Sequence, residues 1–466
     1  MIESIYSAAL KQCFKLMKVG EESEFVKKLA LGSVQMIGIV NSTSLCPNEQ
    51  LPSLSAGLPH FTTHHMRCWG RDTFISFKGM FLLVNRFEEA RQHLMTFASC
   101  IKHGLIPNLL DCSKYPRYNA RDASWWFFKA VKDYCDLSEE GNSFLMTKVK
   151  RRFPTDNFVD YTDPLAYSTD SSILEILLEI ISTHHKGLKF REHNAGPYLD
   201  HAMSDEGFNV EIGVDEHTGF VFGGNQSNCG TWMDKMGDSV NGKNFGIPST
   251  PRNGSPVEIV GLQYLALTWI DQLIDDKVFE NTTKISFKDW KLKLESNFES
   301  HFFMRDKGYY KDCLGSTQDS KLRPNFLVVL ALSPQLVTKE NALSALSIVD
   351  SRLMSVLGVK TLDPSDSEYR GNYFNFDSDD YKTANGFNYH QGPEWVWLFP
   401  YYFLALKQFD SVPSVYKRLL PHFRRLESEY FGIEELTNEN GSVCNDSCKT
   451  QAWSMGCILE LLKSLQ

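Results

Sequence analysis

The chain has 466 residues, of which 42% are hydrophobic and 23% are charged, and its formal net charge is −9 at pH 7. This balance is typical of a folded globular protein and excludes a disordered, collagen-like or coiled-coil chain. Because an acidic chain binds polyanions poorly, we expect neither nucleic acid nor an anionic membrane as a partner.

The apolar runs are shorter than the roughly 18 residues that a membrane-spanning helix needs. The first segment, MIESIYSAALKQCFKLM, is amphipathic and lacks the basic and apolar regions of a secretory signal. The 11 cysteines include no Cys-x-x-Cys pair, which favours reduced thiols over a disulfide framework. Together these patterns predict a cytoplasmic protein.

Apolar residues recur at helical spacing along most of the chain. The first stripe covers residues 2–17, and others follow at 71–84, 86–102, 121–135, 171–185, 256–275, 286–299, 338–356, 391–407, 411–426 and 450–464. Alternation typical of strands is sparse. The sequence therefore predicts an all-α protein with about a dozen helices.

Long irregular segments separate these helices, at 105–120, 186–255, 359–390 and 428–449, and they are rich in Gly, Asn, Asp, Tyr and Trp. Long loops in a compact domain commonly carry function. No repeat or internal boundary is visible after residue 57. We expect one helical domain at 57–466, preceded by an N-terminal helical entry segment at 1–56.

Six segments at loop–helix junctions combine charged or amide side chains with aromatic ones. They are CWGRDTF (68–74), YNARDASWW (118–126), GGNQSNCGTWMDKMG (223–237), PSTPRNGSPVEI (248–259), NYHQGPEWVW (388–397), and GIEELTNENG (432–441) with TQAW (450–453). Each alone fits a capped helix with a buried Trp, or a polar loop. Because sugars are dense in hydroxyl groups and apolar on their ring faces, six such segments favour a carbohydrate site.

Common signatures of phosphate loops, dinucleotide sites, serine hydrolases and zinc proteases are absent. The adjacent pairs His64–His65 and His184–His185 would point apart on a helix, so we interpret them as solvated or capping side chains. We therefore predict no metal and no organic cofactor. Glycoside hydrolysis needs two carboxyl groups, one acid and one base or nucleophile.

The motifs CWGRDTFI, YNARDASWW, GTWMDKMG, GIPSTPRNG, NYHQGPEWVW and ELTNENG with TQAWS resemble, in this order, the C-terminal glucosidase region of eukaryotic glycogen debranching enzymes. The resemblance runs from about residue 57 onward. It implies a glucoamylase-like (α/α)6 toroid, a barrel of six helical hairpins, with long active-site loops. It also implies amylo-α-1,6-glucosidase activity, the hydrolysis with inversion of single α-1,6-linked glucose stubs at glycogen branch points.

The family's N-terminal 4-α-glucanotransferase module has no counterpart in this sequence. The resemblance therefore implies a glycogen or limit-dextrin substrate that a 4-α-glucanotransferase activity prepares, in cis or in trans. The chain is a fragment, a short isoform or a stand-alone enzyme.

The resemblance assigns the general acid to Asp234 and the general base to Glu435. The family usually has Pro where this chain has Glu434, so Glu434 and Glu439 stay open as alternatives for the base. An inverting pair lies about 6.5–9.5 Å apart, and burial beside other carboxylates should raise the pKa of the acid.

Arg71 and Asp72 resemble the clamp that holds the terminal sugar in related toroids. We expect them to close a crater around one glucose. The remaining substrate-binding candidates come from the same motifs: Trp69, Asn119, Arg121, Asp122, Trp232, Lys235, Glu258, His390, Glu394, Trp395 and Trp453.

Two other functions remain open. A non-catalytic glucan-binding module would bind glycogen without releasing glucose. Another toroid α-glucosidase, similar to glucoamylase or trehalase, would cleave α-1,4 chains or trehalose in preference to 1,6-linked stubs.

Overall fold

The computed structural model describes residues 1–316, 318–412, 415–426 and 432–466. Thirteen α-helices dominate this part of the chain: α1 Ile2–Leu16, α2 Glu24–Met36, α3 Gly70–Met80, α4 Phe87–Ser99, α5 Ala123–Leu137, α6 Ile173–Lys186, α7 Val257–Asp275, α8 Phe287–Phe302, α9 Phe326–Leu332, α10 Lys339–Arg352, α11 Leu398–Phe409, α12 Val415–Arg425 and α13 Ala452–Ser464. The helix-rich fold is as predicted. Every predicted stripe contains one of these helices, and α2 and α9 are additional.

The strands are short and antiparallel, and they form only two- and three-stranded sheets. They are β1 Ile37–Ser42, β2 Glu49–Leu54, β3 Gly57–Leu58, β4 Lys148–Lys150, β5 Asp170–Ser172, β6 Leu188–Arg191, β7 Asn209–Val214, β8 Val221–Gly223, β9 Ser255–Pro256, β10 Phe303–Met304, β11 Tyr309–Tyr310, β12 Cys313–Leu314, β13 Val359–Lys360, β14 Glu394–Trp395, β15 Leu436–Thr437 and β16 Thr450–Gln451. The segment 186–255, predicted to be irregular, contains the sheet β6-β7-β8. Its strands alternate buried and exposed residues over stretches too short to stand out in the sequence.

Six helices form a closed series of contacts. Helix α3 contacts α5, and the series continues through α7, α9, α11 and α13, which returns to α3. Of the helices between them in sequence, α4 contacts α5, α8 contacts α7 and α10 contacts α11. Helix α2 packs against α13 and α3, and with α1 and the hairpin β1-β2 it belongs to residues 1–56. The domain division at residue 57 stays a prediction.

By length and composition, α7 could cross a membrane, but 72% of its apolar window is buried inside the protein. Its place in the closed series of contacts accounts for this composition, because a helix packed on several sides is apolar on most of its faces.

Helices α3 and α13 approach at glycines. A Cβ atom on Gly79 would overlap the backbone carbonyl of Gly456, and one on Gly456 would lie 2.8 Å from the carbonyl oxygen of Ser76. The strand β3 just before α3 also pairs with β16 just before α13. Segments far apart in the sequence therefore meet in this contact between α3 and α13, the α3–α13 seam.

Large aromatic side chains fill the interior, and Trp126 lies edge-on to Trp397 and Tyr401. His184 also belongs to the core, because it falls on the apolar face of α6 and its Nδ1 is bonded to the carbonyl of Ile180. The prediction of a solvated or capping side chain is therefore wrong for His184.

Candidate active site

The starts of three helices in the closed series, α3, α5 and α13, contact one another. Arg71 in the first turn of α3 is paired with Asp122, which precedes α5. Asp72 accepts a hydrogen bond of 2.8 Å from Gln451, which precedes α13. These helices thus begin at one end of the molecule, where their dipoles place partial positive charge that favours carboxylates.

A cavity of about 200 Å³ opens at this end. It is lined by Ala56, Phe61, Met66, Trp69, Arg71, Asp72, Trp232, Asp234, Tyr389, Trp395, Glu435, Gln451 and Trp453. Eight of these are predicted site residues: Trp69, Arg71, Asp72, Trp232, Asp234, Trp395, Glu435 and Trp453. The structure therefore brings residues from four of the six sequence motifs into one cavity.

The two alternatives for the base lie outside the cavity lining. Glu434 is paired with Arg425 at 3.2 Å, and Glu439 accepts a hydrogen bond of 2.9 Å from the Tyr369 hydroxyl. Of these three glutamates, only Glu435 lines the cavity.

Tryptophan rings form much of the cavity wall. Trp395 lies edge-to-face against Trp232 at 5.2 Å and against Trp453 at 5.6 Å between ring centroids. The indole nitrogen of Trp453 is buried and has no hydrogen-bond partner among the described residues. It can donate to a hydroxyl group that enters the cavity.

Arg71 holds two carboxylates at once. Its Nε and Nη2 donate to the two oxygens of Asp122 at 2.7 and 2.9 Å, and its Nη1 donates to Asp234 at 2.9 Å. Asp122 is fully buried, whereas the Asp234 side chain is 37% exposed and lines the cavity. Asp122 therefore fixes Arg71, and Arg71 fixes one oxygen of Asp234.

Burial raises the pKa of all three cavity carboxyl groups. The pKa of Glu435 rises to about 8, although the Tyr389 hydroxyl opposes the shift; nearby Asp72 adds to it. The pKa of Asp72 rises to about 7, opposed by Arg71 and Gln451. The pKa of Asp234 is also raised, and the Arg71 guanidinium opposes this. The cavity can thus hold a protonated carboxyl beside an ionised one near neutral pH, as acid–base chemistry requires.

Four predicted site residues outside the cavity lining hold its loops. Arg121 donates to the carbonyls of Gly223 and Arg252, and Glu258 is paired with the Arg252 side chain. Glu394 accepts from the backbone N–H groups that follow Glu439, and Asp122 holds Arg71 as described. Each of these four side chains has partners within the protein, and the Nε of Arg121 is buried without a partner among the described residues.

The other three predicted residues also lie outside the lining. Burial lowers the pKa of the Lys235 ammonium, opposed by Asp238 and Asp234. The fully buried His390 stacks on Trp395 with ring centroids 4.8 Å apart, and burial holds its pKa well below the usual range. Asn119 is half-buried in the loop before α5.

The sequence prediction missed two polar residues of the cavity, Tyr389 and Gln451. Both lie inside the quoted motifs, beside residues that were chosen. Because neither residue is charged, only their position inside these motifs could have identified them from the sequence. No cluster of three or more His, Cys, Asp and Glu side chains suited to a metal ion occurs in the described part of the chain.

Carboxyl groups and tryptophan rings that line one cavity are the combination that a glycoside hydrolase needs. The family model for amylo-alpha-1,6-glucosidase matches residues 30–460, and the chain belongs to this family. The predicted family is thereby confirmed.

Two known proteins are similar to this chain. It is 43% identical over 516 residues to the glycogen debranching enzyme of Saccharomyces cerevisiae, a match that covers 100% of this chain and 34% of that protein. The chain thus spans about a third of that relative. A crystal structure of an uncharacterized conserved protein from Thermus thermophilus has a similar fold, with a TM-score of 0.57, 12% identity, and coverage of 94% of this chain and 99% of that one.

Proposed function

We propose that this chain is an amylo-α-1,6-glucosidase that hydrolyses single α-1,6-linked glucose stubs of glycogen or limit dextrin with inversion. The observation that carries the proposal is that Asp234 and Glu435 line one tryptophan-walled cavity. Membership of the glucosidase family supports the reaction class. A 4-α-glucanotransferase activity, in cis or in trans, would supply the stub in the cytoplasm.

We also propose that the fold is an (α/α)6 toroid. The closed series of contacts from α3 through α13 supports an inner ring of six helices. The contacts of α2, α4, α8 and α10 with members of this series support a second layer. Such a ring gathers the first residues of its six inner helices around one opening.

In the proposed reaction, protonated Asp234 donates its proton to the O6 atom of the departing branch as the bond from O6 to the glucose C1 breaks. Ionised Glu435 removes a proton from a water molecule that attacks C1 from the opposite ring face. The transition state resembles an oxocarbenium ion, and the product is β-glucose. Detection of α-glucose in the first turnovers would contradict a single inversion.

One observation favours a second candidate with the two roles reversed. Burial raises the pKa of Glu435 to about 8, whereas Asp234 is paired with the Arg71 guanidinium. In the cavity without substrate, the proton therefore favours Glu435. A protonated Glu435 could act as the general acid. The family resemblance supports Asp234 as the acid.

Turnover of α-glucosyl fluoride distinguishes the two assignments. Fluoride leaves with little help from an acid, so a variant without its general acid keeps activity on the fluoride and loses it on a stub dextrin. A variant without its base loses both activities. We expect Asp234→Asn to keep activity on the fluoride and Glu435→Gln to lose it. On the stub dextrin, each variant should lose about 10²–10⁴ in kcat.

The matched control is Glu434→Gln, because this neighbouring carboxyl lies outside the cavity lining. It should keep nearly full activity on both substrates. If Asp234→Asn and Glu435→Gln hydrolyse stub dextrin like the unmodified protein, the proposal is wrong.

The remaining alternatives differ in substrate. Glycogen binding without glucose release would indicate a glucan-binding module. Faster cleavage of maltose or trehalose than of 1,6-linked stubs would indicate another α-glucosidase.

A further inference from the structure

A second cavity, of about 550 Å³, lies beside the 200 Å³ cavity lined by Asp234 and Glu435, the proposed catalytic cavity. The short helical turn 64–66 separates them, since His65 lines the second cavity and Met66 lines the first. Trp69 of the catalytic cavity also pairs through its backbone with Leu109, which lines the second. The two cavities therefore share a wall.

Aromatic rings line this second cavity in parallel planes. Tyr115 stacks on Phe158 with ring centroids 5.8 Å apart and an angle of 8°, and Phe158 stacks on His193 at 4.3 Å and 6°. Tyr115 is 55% exposed and Tyr198, also in the lining, is fully exposed. Exposed flat rings of this kind are surfaces on which the apolar faces of sugars pack.

A buried lysine in the same cavity lacks an acceptor. Lys102 is only 6% exposed, yet its ammonium makes no hydrogen bond or ion pair with any residue that the structure describes. It lies 5.6 Å from the ring centroid of Tyr118 and 5.8 Å from that of Phe153. The Asp156 carboxylate attracts this ammonium from beyond ion-pair distance and opposes the lowering of its pKa by burial. Because a buried charge without a hydrogen-bond partner is costly, an oxygen atom of a ligand is the acceptor that this position calls for.

The remaining charges of the cavity favour a neutral ligand. Arg117 is paired with Glu192 at 3.0 Å, which leaves the Lys102 ammonium and the Asp111 carboxyl. Burial lowers the pKa of His193, so its ring is neutral at pH 7. A polyhydroxylated molecule fits stacked rings and balanced charges better than an anion does.

We propose that this second cavity binds an α-1,4-linked glucan segment, the main chain from which the 1,6-linked stub projects into the catalytic cavity. Tyr115 and Tyr198 stack on glucose rings, and Lys102 donates to glucan oxygens. The link to the stub rests on the proposed glucosidase function, whereas binding of the linear glucan can be tested by itself.

The test is the affinity of the whole chain for maltoheptaose, a linear α-1,4 glucan, measured by calorimetry. Tyr115→Ala and Tyr198→Ala change exposed side chains and should leave the fold intact. Each should weaken binding by at least about fivefold, which corresponds to the loss of one stacking contact. The control Phe222→Ala removes an exposed ring on β8, outside this cavity, and should leave the affinity unchanged. Unchanged affinity in both tyrosine variants, or no binding at all, would overturn the proposal.

Lys102→Met supplies a second readout. Because it removes an unpaired buried charge, it should raise the melting temperature while weakening maltoheptaose binding several-fold. A lysine with a purely structural role would give a lower melting temperature and unchanged affinity. Binding of inorganic phosphate in competition with maltoheptaose, lost in this variant, would identify an anion site and overturn the proposal.

Asp234→Asn separates this proposal from the glucosidase function. It should lose glucose release and keep its affinity for maltoheptaose. If the unmodified protein binds maltoheptaose at this cavity but releases no glucose from stub dextrin, the glucosidase proposal fails and the glucan site stands.

Discussion

Asp122 shows how a residue outside the proposed catalytic cavity can position a residue inside it. Its two oxygens take two of the donors of Arg71, and this leaves Arg71 pointing one donor at Asp234. The expected sugar clamp at Arg71 is therefore also the support of a catalytic candidate.

Asp122→Asn should lower kcat by about 10²-fold, because a misplaced Arg71 no longer holds Asp234 in position. The measurement is glucose release from a stub dextrin together with the melting temperature. The control Asp133→Asn removes the partner of the buried Lys129 on the same helix, α5. Both variants should be destabilised, but only Asp122→Asn should lose activity. Equal activity in the two variants would contradict a positioning role.

Ionisation of the Glu435 carboxyl should lower the stability of the folded protein. Its pKa is about 8 in the folded protein and near 4.5 when unfolded, so the unfolded chain releases this proton first as pH rises. Stability contributed by the protonated side chain is present below pH 4.5 and is lost progressively up to pH 8. Glu435→Gln should therefore melt at least about 2 °C above the unmodified protein at pH 8, with the gap closing toward pH 4.5. A constant gap across this range would show that burial of the charge is not the cause.

At the scale of elements, the seam between α3 and α13 depends on glycine. Gly79→Ala places a methyl group against the backbone of Gly456 and should destabilise the protein by about 1–3 kcal/mol, since the backbone must move. Thermal unfolding measures this. Gly20→Ala is the control because a Cβ atom there meets no atom within 4 Å. Similar melting temperatures for the two variants would contradict the close contact.

Most of the helices that the sequence predicts are long enough for apolar residues to recur over several turns. Helix α9 has the sequence FLVVLAL and is buried on nearly every side, so no periodic pattern marks it. The short strands have the same difficulty, because two or three residues carry too little alternation. Strand β14 accordingly lies inside the helical stripe predicted at 391–407, and α11 begins only at Leu398.

The site was predictable to the level of its segments. Charged residues beside tryptophan at loop–helix junctions identified the segments that meet, since a sugar site needs both kinds of side chain. Which of the charged residues face the cavity depends on their partners. Arg121 and Asp122 repeat the sequence pair Arg71-Asp72, but Arg121 is hydrogen-bonded to loop carbonyls and Asp122 to Arg71.

For the whole molecule, the size of the proposed catalytic cavity predicts which branches can enter it. Its volume of about 200 Å³ is smaller than the roughly 300–1,000 Å³ of sites for larger ligands. This chain alone should release glucose from single-glucose branches and leave branches of several glucoses intact. Adding a 4-α-glucanotransferase should restore glucose release from the longer branches. If the chain alone removes long branches, the cavity is an open cleft and the expected closed crater is wrong.

The seam between α3 and α13 also has a consequence for biosynthesis. Most of the chain separates these helices, so a ribosome adding about 5–20 residues per second exposes α3 on the order of tens of seconds before α13 emerges. Until then, the α3 surface that receives α13 is uncovered, and Asp72 lacks Gln451. Contacts of such long sequence separation form slowly, and the nascent chain needs protection from aggregation. A chain terminated before α13 should therefore be found in aggregates or bound to chaperones, and a premature stop codon would act as a loss of protein as well as of activity.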